Sequence, residues 1–315
     1  MNTQSNTAPE LPLDSQRIVA SATSQTQPMY WSVRRELWEN RSIYVAPLAV
    51  AAVYLIGFLI SLFWLPRNMR ELAAQHSAPE PIALAMPYSH AAMLLMLVGF
   101  LVGIFYCLDA LHSERRDRSV LFWKSMPVSD LTTVLAKVSI PFLVLPVLVF
   151  TITVTLQIVM RLLAIAVLLI SGAGAATQWS RLPLFEMEVV LLYGLIVLVL
   201  WHAPVYMWML LVSGWARRAA FLWAVLPPLA IAGVETIAFH TSYFGSLLQG
   251  RLWGFATGAF DLKDKNGVAL DPHFIPLARL APGRFVSSPG LWIGLVFAVL
   301  CIAAAVRLRR YQGPL

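Results

Sequence analysis

The sequence predicts an all-α polytopic membrane protein with six transmembrane helices. Of its 315 residues, 59% are hydrophobic and only 12% are charged, whereas soluble domains carry about 45–50% apolar and about 25% charged residues. The mean hydropathy is +0.71. Six apolar runs also reach about 20 residues, the length that a helix needs to cross the hydrocarbon core. These observations argue against a soluble enzyme.

Three parts are expected along the chain. Residues 1–28 are rich in Ser, Thr, Gln, Asn and Pro and lack the apolar centre of a signal peptide, so we interpret them as a disordered cytoplasmic tail. Residues 29–42 predict an interfacial amphipathic helix, and residues 43–315 the transmembrane domain. The six spans are expected at residues 43–65, 88–111, 131–159, 188–213, 219–239 and 291–306.

The third apolar run is longer than one span requires. Within residues 160–176, residues 162–170 could form an interfacial helix, a re-entrant segment, the tail of a long third helix or a seventh span. Charge argues against a seventh span, because six spans with a cytoplasmic N-terminus place 14 of the 23 Lys and Arg residues on the cytoplasmic side. This distribution follows the positive-inside rule. Both termini are then expected in the cytoplasm.

The connection over residues 240–290 is expected on the outer side. A connection of this length is uncommon without structure of its own. It contains several Trp and Phe side chains among Gly, Pro and a polar turn. We therefore expect short helices on the outer membrane surface, with aromatic rings at the depth of the lipid headgroups.

A charged segment followed by an apolar patch separates the second and third spans. Its charges must face water, but a plain loop would require neither Asp117 nor the apolar patch, so the segment could dock a soluble partner. Residues 127–130 supply a helix break and an N-cap candidate for the third span. The candidate docking residues are Glu114, Arg115, Arg116, Asp117, Arg118, Leu121, Phe122 and Trp123.

The amphipathic helix before the first span has two possible roles. Apolar residues recur there at helical spacing, and arginines lie between the aromatic residues, as is typical of helices parallel to the membrane. The helix could be only an orientation anchor, or it could also contact a cytoplasmic partner. Its candidate residues are Trp31, Arg34, Arg35, Leu37 and Trp38.

The continuous string from Ser113 to Asp130 resembles the segment after the second span in ABC-2 type transporter permeases. Shorter strings that support the resemblance lie at residues 33–41, 202–206, 213–218, 221–224, 227–228 and 289–294. Together they cover most of the chain outside the N-terminal tail and the outer loop.

The resemblance implies a bacterial inner-membrane exporter subunit with the ABC-2 permease fold. Two such subunits, either two copies of this chain or this chain and a paralogue, would form the pathway above two copies of an ABC ATPase subunit. Residues 114–123 would form a coupling helix that docks in a groove of the ATPase, and the interfacial helix would approach it as well. ATP and Mg²⁺ would bind to the partner. Consistently, the sequence contains no phosphate-binding loop, so we expect neither enzymatic activity nor a cofactor in this chain.

Three ionisable residues within the predicted spans need an explanation, because burying a charge in a membrane is costly. His202 could bond a carbonyl freed by Pro204 or contact a substrate. Glu235 could cap or pair helices, or it could line the pathway. Asp109 is expected to pair with an arginine of the charged segment.

Other functions fit the sequence less well. The net charge of +7 is explained by orientation and by anionic lipid, and no nucleic-acid partner is expected. The isolated cysteines and scattered histidines show no metal-binding spacing. The alternatives are a non-transporting membrane scaffold or immunity protein and, less well supported, an integral membrane enzyme that modifies lipid.

Overall fold

A computed structural model describes residues 26–74, 81–116, 129–172, 183–261 and 276–311. A π-helical turn, Ile140–Val144, joins α6 to α7, and a 3-10 turn, Leu277–Arg279, precedes α12. The helices are α1 (Thr26–Glu39), α2 (Ser42–Leu62), α3 (Leu65–Ala74), α4 (Pro81–Asp109), α5 (His112–Arg116), α6 (Asp130–Ser139), α7 (Leu145–Ile170), α8 (Leu184–Trp215), α9 (Ala220–Phe239), α10 (Tyr243–Trp253), α11 (Phe255–Ala259), α12 (Pro282–Val286) and α13 (Pro289–Tyr311).

Six helical segments in the described part of the chain are long and apolar enough to cross a membrane. They are Ser42–Leu62, Leu84–Arg116, Asp130–Ile170, Leu184–Trp215, Ala220–Phe239 and Pro289–Tyr311. The predicted helical membrane class and the number of six candidate spans are therefore confirmed. Between α9 and α13 the chain forms the short helices α10, α11 and α12.

The third candidate span continues well beyond the predicted residue 159. Helix α6, the π-helical turn and α7 form one segment of 41 residues that ends at Ile170, so residues 162–170 are the tail of a long third helix. Residues 173–176 lie outside the described residues. The segment begins as predicted, because the Ser129 side chain accepts a hydrogen bond from the Thr132 amide at 3.1 Å and so acts as an N-cap.

Side chains of neighbouring helices donate hydrogen bonds to carbonyls close to two prolines within helices. Pro87 lies inside α4, which begins at Pro81 and not near residue 88 as predicted, and its carbonyl accepts a hydrogen bond from Tyr54 at 2.7 Å. In α9, Pro228 cannot donate to the Ala224 carbonyl four residues earlier. The Trp208 indole of α8 donates to that carbonyl instead, at 3.0 Å.

The core follows the length of α4 and α8. One large cluster of buried residues joins α2, α4, α7 and α8. A second joins the start of α2, the end of α4, α6, α8 and α13. We call the end of the bundle that holds α1, α5, the start of α6 and the end of α13 the basic end, and the opposite end the distal end.

Helix α9 is the least packed of the six candidate spans. Only 11% of its most apolar window is buried, and its buried residues are Ala220 and Ala224, both near the basic end. At its other end, α10 turns back to α8 and contacts it near His202. Helices α11 and α12 and the start of α13 pack on the same stretch of α8 through Phe260, Phe285 and Leu291.

Candidate functional site

The charged segment that the sequence singles out is only partly described. Glu114, Arg115 and Arg116 form the end of α5. Asp117, Arg118, Leu121, Phe122 and Trp123 lie outside the described residues. The two positions at which the chain enters and leaves this segment, Arg116 and Ser129, are both at the basic end, and the charged side chains around them define the candidate site.

A cluster of charged groups, all buried except the half-buried Asp130, links four helices around that segment. Lys137 Nζ lies 2.8 Å from Glu36 Oε1 and 3.1 Å from Glu114 Oε1. Arg309 Nη1 lies 2.6 Å from Glu114 Oε2, and its Nε lies 3.2 Å from Asp130 Oδ1. We call Glu36, Glu114, Asp130, Lys137 and Arg309 the ion cluster.

The charges of the ion cluster are closely matched. Its three carboxylates face Lys137 and Arg309, and Arg35 Nη1 adds a third positive charge 3.9 Å from Glu114 Oε1. The Lys137 and Glu114 side chains are only 2% and 4% exposed. Because a buried charge is tolerated only with a compensating partner, each member depends on the others for a stable position.

The helices position the charged side chains of the cluster through packing and hydrogen bonds near each one. Val33 and Leu37 of α1 pack against the core of the basic end, and this packing turns Glu36 of the same helix inward. Tyr106 of α4 donates a hydrogen bond to Glu36 Oε2 at 2.7 Å. Lys137 lies in the last turn of α6, and Arg309 lies in the last turn of α13, beyond the buried Ala305.

Helix α5 is also tied to the end of α8. Arg115 Nη1 donates to the Gly214 carbonyl, the His112 ring lies 3.3 Å from the Ala216 carbonyl, and the Leu111 amide lies 3.4 Å from Ser213 Oγ. Helix α5 is therefore fixed to α8 as well as to the ion cluster.

The structure changes the expected role of two acidic residues. Sequence analysis assigns Glu114 to a docking surface, but its carboxylate is buried between Lys137 and Arg309 and is not accessible to a partner. Asp109 is expected to pair with an arginine, but it is exposed, and within the described ranges its carboxylate makes no ion pair. Of the described docking candidates, Arg116 is exposed and Arg115 is half-buried.

The predicted interfacial helix has two distinct faces. Leu37 is half-buried against the core, and Arg35 pairs with Glu39 at 2.7 Å. Trp31 and Trp38 point away from the bundle, with 59% and 72% of their surfaces exposed. The Arg34 guanidinium lies between them, 5.2 Å from each ring centroid.

His202 holds the end of α10 against α8. Its Nδ1 lies 2.8 Å from the Leu198 carbonyl and its Nε2 lies 3.2 Å from the Leu252 carbonyl. A neutral imidazole donates through only one of these nitrogens. The carbonyl that Pro204 frees belongs to Leu200, so the expectation that His202 bonds that group is wrong.

Arg251 makes a second connection beside His202. Its Nη1 donates to the Trp201 carbonyl at 3.2 Å, and its Nη2 donates to the Gly290 carbonyl at 2.7 Å. Its guanidinium also lies 4.6 Å from the centroid of the Trp201 ring. Together, His202 and Arg251 fix α10 and the start of α13 to the middle of α8.

Glu235 caps the helix that follows its own. Its Oε1 accepts hydrogen bonds from the Tyr243 amide at 2.7 Å and from Thr241 Oγ1 at 3.1 Å. Its Oε2 accepts from the Phe244 amide at 2.8 Å. These are donors at the start of α10 that have no partner within that helix. Of the two roles considered from the sequence, the observed contacts are those of a cap.

Most of the ion cluster is absent from the candidate residues that the sequence indicates. Glu36, Asp130, Lys137 and Arg309 are not among them, although a lysine within an apolar run signals a carboxylate partner. No group of three or more His, Cys, Asp or Glu side chains suited to a metal occurs among the residues that the structure describes.

Comparison with known proteins gives no assignment. No protein-family model matches the chain, and neither a curated protein nor a solved structure is significantly similar to it.

Proposed function

We propose that this chain is the permease subunit of an ABC-2 type exporter in a bacterial inner membrane, with both termini in the cytoplasm. Two such subunits form the substrate pathway, and ATP is bound and hydrolysed by a separate pair of ATPase subunits. Residues 114–123 dock on the ATPase through Arg116 and the apolar patch that ends at Trp123.

One observation carries the proposal: both ends of the charged segment are anchored in the ion cluster. Glu114 is the first residue of the segment and Asp130 follows it, and Arg309 of α13 contacts both carboxylates. A force applied to the segment therefore reaches α4, α6 and α13 together. Lys137 extends the connection to Glu36 in α1. A loop that only joined two spans would not require this arrangement.

The proposal gives different roles to the segment and to the cluster. The exposed residues of the segment contact the ATPase, and the buried ion cluster transmits its movement to the transmembrane helices. Arg116 is exposed, whereas Glu114 is buried and acts through its neighbours.

The test is a double substitution, Arg116→Glu with Trp123→Ala, in the chain co-expressed with a candidate ABC ATPase subunit that co-purifies with the wild-type chain. We expect normal membrane insertion, loss of ATPase co-purification and loss of stimulated ATP hydrolysis. The matched control is Arg310→Glu with Trp292→Ala, which changes an exposed arginine and an exposed tryptophan of α13. Unchanged coupling in the first variant, or equal loss in both, contradicts the docking assignment.

A further inference from the structure

The outward face of α1 carries an arginine held between two tryptophans. Trp31, Arg34 and Trp38 follow one another at helical spacing on the side opposite the buried Glu36. Arg34 Cζ lies 5.2 Å from the centroid of each indole ring. Tyr30 packs edge-on against Trp31, with 5.6 Å between the ring centroids. The guanidinium is therefore oriented by aromatic faces and not by a carboxylate.

Arg34 differs in this respect from the arginine next to it. Arg35 pairs with Glu39 at 2.7 Å and contributes to the charge of the ion cluster. Arg34, by contrast, makes no ion pair with any residue in the described ranges, and it is exposed. Stacking on an aromatic ring leaves the N–H groups at the guanidinium edge free to donate in the plane of the fork.

We propose that Arg34, held between Trp31 and Trp38, binds the phosphate of an anionic phospholipid at the basic end of the bundle. A guanidinium fork matches a phosphate with two parallel hydrogen bonds. Indole rings are enriched at the depth of lipid headgroups, so the two tryptophans would lie in the same layer as the phosphate. The inference requires only that the six apolar helices cross a membrane, and it does not depend on the proposed transport function.

The position of α1 favours lipid over a protein partner as the occupant of this site. Helix α1 ends three residues before α2 begins, and α2 is a candidate span. The opposite face of α1 is already packed on α6 through the ion cluster, which fixes the direction in which the tryptophans point. Arg41, at the junction of α1 and α2, is also exposed and adds positive charge next to the site.

The test measures lipid binding to the purified full chain in detergent by native mass spectrometry. Phosphatidylglycerol and phosphatidylcholine with identical acyl chains are titrated separately. We expect the wild-type chain to prefer phosphatidylglycerol and Arg34→Gln to reduce this preference about fivefold, equivalent to roughly 1 kcal/mol for one arginine near a headgroup. Arg34→Lys is expected to restore it only in part, because an ammonium neither stacks nor binds with two parallel bonds.

Two variants separate a built site from general attraction by charge. Arg310→Gln removes an exposed arginine at the same end of the bundle and is expected to leave the preference unchanged. Trp31→Leu with Trp38→Leu keeps the charge but removes the rings, and is expected to weaken the preference. The proposal would be overturned if Arg310→Gln reduced the phosphatidylglycerol preference as much as Arg34→Gln does. It would also be overturned if Trp31→Leu with Trp38→Leu left the preference unchanged.

The remaining outcomes identify a different ligand. Competition by millimolar inorganic phosphate would show an anion site without lipid specificity and would overturn the proposal. The same holds if Arg34→Gln leaves lipid preference intact but abolishes co-purification of the ATPase, because α1 would then be a protein interface. If Arg34→Gln reduces the lipid preference but the wild-type chain neither co-purifies with an ABC ATPase nor stimulates ATP hydrolysis, the lipid site stands and the transport proposal fails.

Discussion

Arg309 Nη1 lies 2.6 Å from Glu114 Oε2, although 195 positions in the chain separate the two residues. The contact joins the last turn of α13 to the start of the charged segment. Both side chains are almost fully buried, so the pair is a structural link and not a surface ion pair. It explains why the end of the last helix lies against the connection between the second and third spans.

Glu114→Gln should lower the thermal stability of the purified chain markedly. The substitution leaves Lys137 and Arg309 buried with too little negative charge, and breaking a buried ion pair by removing one partner costs about 3–5 kcal/mol. The control is Arg67→Gln, because the Arg67–Glu71 pair of α3 is 72% and 59% exposed and such pairs contribute about 0–1 kcal/mol. The thermal unfolding midpoints of the two variants in detergent are compared with that of the wild-type chain. An equal decrease of the midpoint in both variants would refute the argument from burial.

Gly103→Ala and Gly57→Ala should shift stability in opposite directions. A Cβ at Gly103 would lie 2.9 Å from Cε1 of Tyr206, so the buried Tyr206 ring or the helices that carry the two residues would have to shift, at a cost of about 1–3 kcal/mol. A Cβ at Gly57 meets nothing within 4 Å, and alanine is favoured over glycine within a helix by about 0.5–1 kcal/mol. Thermal unfolding of the two variants tests the α4–α8 packing. An unchanged unfolding temperature in Gly103→Ala would contradict the close contact between Gly103 and Tyr206.

Trp208→Phe should destabilise the contact between α8 and α9 only while Pro228 is present. The indole donates to the Ala224 carbonyl that Pro228 leaves without a donor, and such a bond contributes roughly 0.5–1.5 kcal/mol. In a Pro228→Ala background the backbone amide of residue 228 can donate instead, so losing the indole should cost less. A double-mutant cycle measures this coupling. Additive effects would show that the two residues act independently.

Glu235→Leu should expose the first turn of α10. The Tyr243 and Phe244 amides both donate to the Glu235 carboxylate, and their hydrogen exchange should become faster when the acceptor is removed. Glu235→Gln keeps one acceptor oxygen and should have a smaller effect. Thr236→Val is the neighbouring control, because Thr236 bonds only the Ala232 carbonyl of its own helix. Unchanged exchange in Glu235→Leu would rule out the capping role.

The sequence predicted the parts of the fold that follow from local hydrophobicity. Each candidate span is a run of apolar residues of sufficient length, and the Ser129 cap depends only on residues next to it. Helix α4 begins at Pro81 and continues through Pro87. A proline tends to end or bend a helix, so this continuation does not follow from the local sequence.

The ion cluster could not be assembled from the sequence because its members are far apart along the chain. Glu36 and Lys137 are separated by 101 positions, and nothing in the local pattern of α1 distinguishes Glu36 from Glu39, which is half-exposed and pairs with Arg35. Only the packing of Val33 and Leu37 decides which carboxylate turns inward. Lys137 gave the one usable signal, since a cation in an apolar run requires a nearby anion.

The π-helical turn Ile140–Val144 makes the orientation of the third span depend on its exact number of residues. In this turn the Leu145 amide donates to the carbonyl of Ile140, five residues earlier, between two prolines that cannot donate. Successive residues of a helix are rotated by about 100°, so deleting one residue here would turn all of α7 relative to α6. Lys137 and Val149 could then no longer face their partners together. The insertion or deletion of a single residue in this turn would therefore disturb both ends of the span at once.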